Sequence, residues 1–170
     1  MEMALMQKGS TWKIVKVEIE PPLLITNYGI YIGCDPGTSN LGIAIIDAVF
    51  DNPKIELYEI DIERSKDAVE RIQTVRFILT DILFGLHGQQ NVKMIIEGAS
   101  YGNNFRQVEL AEQRATMVLW ALDHSIIPSL ISPLSIRKKV FGSAKIKAED
   151  TWKELPPNAA SALACAYYVL

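Results

Sequence analysis

Ile30-Tyr31-Ile32-Gly33-Cys34-Asp35-Pro36-Gly37-Thr38-Ser39-Asn40-Leu41-Gly42-Ile43-Ala44-Ile45-Ile46-Asp47 is the stretch on which the fold turns. Its first residues are apolar enough for a central strand, Pro36-Gly37 makes a turn, and Gly42 opens a second β-branched strand. The product is a hairpin with one carboxylate, Asp35, at its mouth. An acid at a strand end is held rigidly yet stays open to solvent, and carboxylate oxygens suit hard cations, so the geometry fits a metal site. An Asp before Pro-Gly also reads as an ordinary turn residue that bonds its own backbone.

A second stretch repeats the pattern. Val92-Lys93-Met94-Ile95-Ile96-Glu97-Gly98-Ala99-Ser100-Tyr101-Gly102 is an apolar strand that ends in an acid and a glycine-punctuated loop. Two carboxylates ending adjacent strands repel and shift each other's pKa unless a cation sits between them, which points to a divalent metal. A Glu97 that caps the loop through backbone amides is the alternative.

With these two stretches in hand, the chain resembles the RuvC Holliday-junction resolvases and their phage relatives, within the ribonuclease H-like superfamily. The resemblance runs over residues 30 to 170 and is carried by Gly33-Cys34-Asp35-Pro36-Gly37-Thr38, Ile95-Ile96-Glu97-Gly98, Phe141-Gly142-Ser143-Ala144-Lys145 and Asn158-Ala159-Ala160-Ser161-Ala162-Leu163-Ala164. It implies an α/β fold, a ribonuclease H-like mixed five-stranded sheet with helices on both faces. It also implies a structure-selective endonuclease of the crossover junction type, cutting branched DNA by metal-assisted phosphodiester hydrolysis. In that family four carboxylates hold two Mg2+ ions, the last two lying at i and i+3 of a helix start. Here those positions are Asn158 and Ser161. The catalytic set implied is therefore Asp35, Glu97, Asn158 and Ser161, with Asp35 and Glu97 as metal ligands for Mg2+ or Mn2+.

Neither Asn nor Ser carries charge, so two carboxylates face the four positive charges of a metal pair, whose ions sit about 3.5–4 Å apart. Metal binding is then weakened or lost if Asn158 and Ser161 are native. A naturally degenerate nuclease, an engineered inactive form, and a site completed by another acid such as Asp150 or Glu154 are the readings this leaves open; degeneracy or engineering is preferred over rescue. The alternative function is a junction-binding protein without nuclease activity. Asn158 after Pro156-Pro157 is also well placed as an N-cap, and Ser161 is tolerated in a first turn. The phosphate loop of actin-like ATPases resembles Asp35-Pro36-Gly37-Thr38-Ser39-Asn40 too, but that fold encloses its nucleotide between two such domains.

Composition fits one compact domain at residues 29–170, preceded by an extension over 1–28 whose Trp12–Ile19 segment is strand-like. At 170 residues and 49% hydrophobic content, a sizeable core needs no disulfides. Cys34 and Cys165 read as buried small hydrophobes. The start lacks a basic segment followed by a long apolar one, which leads to the expectation of a cytoplasmic protein without membrane contact. His87 and His124 sit near helix ends and receive no catalytic role.

Net charge is −3, yet Ser132–Lys147 holds Arg137, Lys138, Lys139, Lys145 and Lys147 and no acid. Such a block neutralises phosphates, although a solvated face is the ordinary explanation of a charge run. Through the resemblance, the Gly142–Lys145 turn looks like the resolvase loop that meets the DNA backbone. Tyr101 and Phe105 are candidates to stack on unpaired junction bases, although an aromatic that opens a helix is more often a core residue.

Strands are expected near 30–35, 41–47, 54–62, 92–97 and 130–131, with helices over 66–86 and 104–125 and from Asn158. A homodimer is expected on the 104–125 helix, because a two-fold junction needs two symmetric cuts. The expected assignment packs Val108, Ala111, Ala115, Val118 and Leu122 on the sheet, leaving Phe105, Met117, Trp120 and Ala121 for the partner; the alternative is that Trp120 packs under the sheet as a core residue.

Overall fold

The computed structural model describes residues 3–5, 12–62, 67–86, 91–99 and 107–170, with the backbone alone at 3–5 and 12. Tyr101, Phe105 and His87, singled out above, lie outside the described residues.

A hairpin and a third strand form the centre: β3 (Ile30–Pro36), β4 (Asn40–Asp47) and β5 (Lys54–Ile62) pair antiparallel. β6 (Val92–Glu97) and β7 (Pro128–Ile131) extend the sheet in parallel on the β3 side. On the other edge β2 (Trp12–Ile19) pairs antiparallel with β5, and the short β1 (Met3–Leu5) pairs with β2. The expected five strands therefore grow to a seven-stranded sheet, ordered β1-β2-β5-β4-β3-β6-β7. The extra strands come from the segment before residue 28, where β2 sets Ile14 and Lys16 on one face and Val17 and Ile19 on the other; Lys16 reaches Glu56 of β5 at 2.7 Å.

Helices cover both faces. α1 (Ala68–Leu83) and α2 (Gln107–Asp123) pack on the face bearing Ile32, Cys34, Leu41 and Ile43. α3 (Pro133–Phe141), α4 (Ala148–Thr151) and α5 (Pro157–Tyr167) cover the face bearing Tyr31, Ala44 and Ile46. Cys34 and Cys165 are buried, unbridged thiols on opposite faces. Among the described residues no helix is long and apolar enough to cross a membrane.

α1 starts where Asp67 accepts hydrogen bonds from the backbone N–H groups of Val69 and Glu70. Its apolar stripe buries Val75, Ile78, Leu79 and Leu83. On α2 the expected faces are exchanged except at Val118, which packs against the core as expected. Met117, Trp120 and Ala121 are buried against the sheet, Trp120 at 1% exposure, and the Trp120 indole donates to Thr80 Oγ1 of α1 at 3.0 Å. Val108, Ala111, Ala115, Leu119 and Leu122 face outward, Leu119 at 56% and Leu122 at 51% exposure. Both stripes have helical spacing, so periodicity alone does not say which turns inward; the larger aromatic wins the core because it removes more apolar area from water.

Candidate active site

Strand register assembles the site. Cys34 of β3 pairs with Ile96 of β6, so the next residues, Asp35 and Glu97, end neighbouring parallel strands side by side. Across the antiparallel pairs, Asp35 is opposite Gly42, and Gly42 is opposite Glu59 of β5. Directly opposed residues share a face. Asp35, Gly42 and Glu59 thus form a row, and α5 lies over it.

The helix comes unusually near. A Cβ at Gly42 would lie 2.0 Å from the backbone oxygen of Asn158, and one at Gly33 would lie 1.9 Å from that of Ala162. Only glycine lets α5 descend this far, and Ala159, Ala160, Ala162 and Ala164 keep its underside thin. Over the row, the first turn of α5 meets an acid on either side. Asn158 Nδ2 donates to Glu59 Oε1 at 2.5 Å and the Ala159 backbone N–H donates to Glu59 Oε2 at 2.8 Å. The Ser161 hydroxyl donates to Asp35.

The N-cap expectation for Asn158 is corrected by this arrangement. α5 begins at Pro157 with Pro156 at the cap position and no side-chain cap of its own, and Asn158 sits inside the first turn. A carboxylate from the sheet takes the orphan amide that a local cap would have taken.

Electrostatically the site is strained by like charge. Burial pushes the Asp35 carboxyl well above the usual range, and Glu97, Glu59 and Glu149 push it further, while the Ser161 hydrogen bond opposes them. Burial also raises Glu97, with Arg137 and Arg114 pulling it back and Glu149 adding to the rise. Arg114 of α2 donates from Nε to the Glu97 backbone oxygen at 2.9 Å.

Three contributors escaped the sequence reading: Glu59, Glu149 and Arg114. Glu59 did leave a signal, a charge on the strand face that carries Ile55 and Leu57. Glu149 and Arg114 left none. The acids expected as possible replacements, Asp150 and Glu154, are exposed, and from that stretch it is Glu149 that acts on Asp35 and Glu97.

Of the basic block, Arg137 is half-buried beside Glu97, whereas Lys138, Lys145 and Lys147 are exposed. Lys139 Nζ donates to the Tyr168 backbone oxygen and lies over the Tyr168 ring, and Lys147 pairs with Glu149 at 3.5 Å. His124 bonds the Trp120 backbone oxygen and stacks on its ring, consistent with a structural role.

Among the described residues no group of three or more His, Cys, Asp or Glu side chains is gathered closely enough to hold a metal ion. The carboxylates at the centre are Asp35 and Glu97 at the strand ends, with Glu59 and Glu149 near enough that their like charges oppose ionisation of Asp35. Oxygen donors of this kind suit a hard divalent cation that keeps several waters.

No protein-family model matches the chain. Over 121 residues it is 30% identical to the crossover junction endodeoxyribonuclease RuvC of a Nitratiruptor species, a span of 70% of this chain and 74% of that protein. Its fold is similar to that of Thermus thermophilus RuvC, with a TM-score of 0.64 and 16% identity over 82% of this chain and 92% of that one. A structure of T. thermophilus RuvC in complex with Holliday junction substrate matches with the same TM-score of 0.64 at 13% identity, over 83% of this chain and 92% of that one. With 30% sequence identity to the Nitratiruptor protein over most of both chains, and a site built on the same strand ends and final helix that carried the resemblance, the chain belongs to the RuvC family.

Proposed function

We propose that the protein recognises branched DNA in the cytoplasm as a symmetric homodimer, and that its site takes one divalent cation and hydrolyses phosphodiesters slowly or not at all. The observation that supports this reading is that Asn158 and Ser161, where the resemblance expects acids, are neutral donors each already bonded to a carboxylate of the sheet. Asp35 and Glu97 would hold the cation, Mg2+ or Mn2+, which when bound would polarise a phosphate oxygen. Arg114 and Arg137 offset the negative charge at Glu97, and the exposed lysines Lys138, Lys145 and Lys147 meet phosphates on either side. Tyr101 and Phe105 remain the candidates for stacking on unpaired bases.

The outward apolar stripe of α2, Val108 to Leu122, is the surface for the second copy. A contiguous apolar helix face is costly to leave in water, and a C2 pair places one site on each strand of a two-fold junction.

A second reading, a fully active nuclease, is favoured by Glu59 and Glu149, which both act on Asp35. One experiment separates the two. Cutting of a four-way junction is followed with Mg2+ and with Mn2+ for the unmodified chain, for Asp35→Asn, and for a variant carrying Asn158→Asp and Ser161→Asp with Glu59→Gln, so that positions 59 and 158 do not both carry a carboxylate. Cutting that is roughly 100-fold or more slower in the unmodified chain than in the triple variant is expected, as loss of one ion of a pair removes several kcal/mol. Robust Mg2+-dependent cutting by the unmodified chain, abolished by Asp35→Asn, would instead establish the active nuclease.

A further inference from the structure

Glu59 stands apart from the residues through which the chain resembles its family, yet it makes the closest polar contacts at the start of α5. Both of its carboxylate oxygens are engaged, Oε1 by the Asn158 side chain and Oε2 by the Ala159 backbone N–H. It reaches them across Gly42, whose missing side chain is what allows the helix start to sit there. The Asn158 amide is the matched half of this contact, since its N–H2 donates and a carboxylate only accepts. An Asp at position 158 would bring a second acceptor-only group to the same oxygen, with no proton to share and two like charges in contact.

We infer that Glu59 and Asn158 are an exchanged pair: the negative charge that the family keeps on the helix at this position resides in this chain on β5, and Glu59 is the positioning residue that seats the first turn of α5 over Asp35. This rests on the reading of the site as a cation site only for its metal-binding arm; the seating of the helix stands on the hydrogen bonds alone. Asn158 is then a native partner of Glu59, selected as a donor. Ser161 plays the corresponding part toward Asp35 one turn further on. The start of the helix thus bridges two sheet carboxylates, and its neutrality is what lets it approach both.

The test is a charge exchange. Unmodified chain, Glu59→Gln, Asn158→Asp, and the double variant Glu59→Gln/Asn158→Asp are compared by thermal unfolding in EDTA without DNA, and by calorimetric titration with Mn2+. Asn158→Asp alone should lower the midpoint by roughly 3–8 °C, the size of a like-charge contact in a chain of this length. The double variant should recover at least half of that loss. In the titration, Glu59→Gln should weaken Mn2+ about tenfold, as expected for a group that orients the site, and the exchanged double variant should return to within about threefold of the unmodified chain. Additive thermal losses in the double variant overturn the exchanged pair, as does failure of both Asn158→Asp and the double variant to fold. Absence of Mn2+ binding in all four proteins, with the thermal recovery intact, would contradict the cation reading and leave Glu59 as the seat of the helix.

Discussion

Asn158 Nδ2 lies 2.5 Å from Glu59 Oε1, a contact between residues 99 positions apart in sequence. It joins the last helix to the third strand of the central meander and sits beside the row that ends in Asp35. A single uncharged side chain therefore ties the helix to the sheet by donating to a carboxylate of β5.

Without a cation, the site should make the protein less stable as pH rises. The Asp35 and Glu97 pKa values are raised above their ordinary 3.8 and 4.5, so the folded state holds protons that the unfolded state has released. Stability is then fully present below the ordinary carboxylate values and is lost as pH climbs from there through the raised folded-state values. In EDTA the unfolding midpoint should fall over that window, Asp35→Asn should flatten the slope and raise the neutral-pH midpoint by several degrees, and Mg2+ should reverse part of the fall. A midpoint that rises steadily across the same window would contradict the charge balance of the site.

Gly42→Ala should dislodge the first turn of α5. The added Cβ would meet the Asn158 backbone 2.0 Å away, and neither main chain can yield without breaking strand pairs or the Glu59 bonds. A loss of about 1–3 kcal/mol in a denaturant titration is expected from overpacking of this kind. Gly85→Ala, where nothing lies within 4 Å, serves as the control and should be near neutral.

Much of this arrangement was legible in the sequence, and the parts that were not share a cause. The β3–β4 hairpin and the β6 strand announced themselves because they are apolar on both faces and end in an acid and a turn. Asp35 and Glu97 were singled out from local patterns, and Asn158 and Ser161 through the resemblance. Glu59 was not, because its role depends on the register that sets it opposite Gly42 and on a helix 99 residues away. The helix 107–123 was found, with Val118 on the core as expected, but the choice between its two apolar stripes stayed open in the sequence, and the Trp120–Thr80 contact with α1 shows that Trp120 turns inward. Trp12–Ile19 was read as strand-like but without a partner, and Met3–Leu5, which pairs with it at the edge, is only three residues long, so neither entered the count.

The inward turn of Trp120 changes where a dimer should be broken. Trp120→Glu should unfold the protein, because the indole is buried. Leu119→Glu with Leu122→Glu should leave the fold intact and reduce the mass measured by light scattering from twice 19.0 kDa toward that of one chain. A mass near 19.0 kDa for the unmodified protein at micromolar concentration would defeat the dimer.

Phosphate contacts should appear in the salt dependence of binding. Replacing Lys145 and Lys147, both exposed, with Ala should flatten the plot of log affinity against log salt by about two units, nearly one for each phosphate no longer neutralised. Lys139→Ala should matter less, as that amine is already bonded to the Tyr168 backbone. An unchanged slope in the Lys145/Lys147 variant would return the basic block to a solvated surface.

Recognition of branched DNA is measured most directly by competition. A labelled four-way junction is bound in Mg2+ and displaced by unlabelled junction or by linear duplex of the same total length and sequence. An acidic chain of net charge −3 gains little from indiscriminate attraction to phosphates, so the preference should come from shape and amount to roughly tenfold or more, about 1.4 kcal/mol or greater, in favour of the junction. Equal displacement by junction and duplex would contradict recognition of the branch.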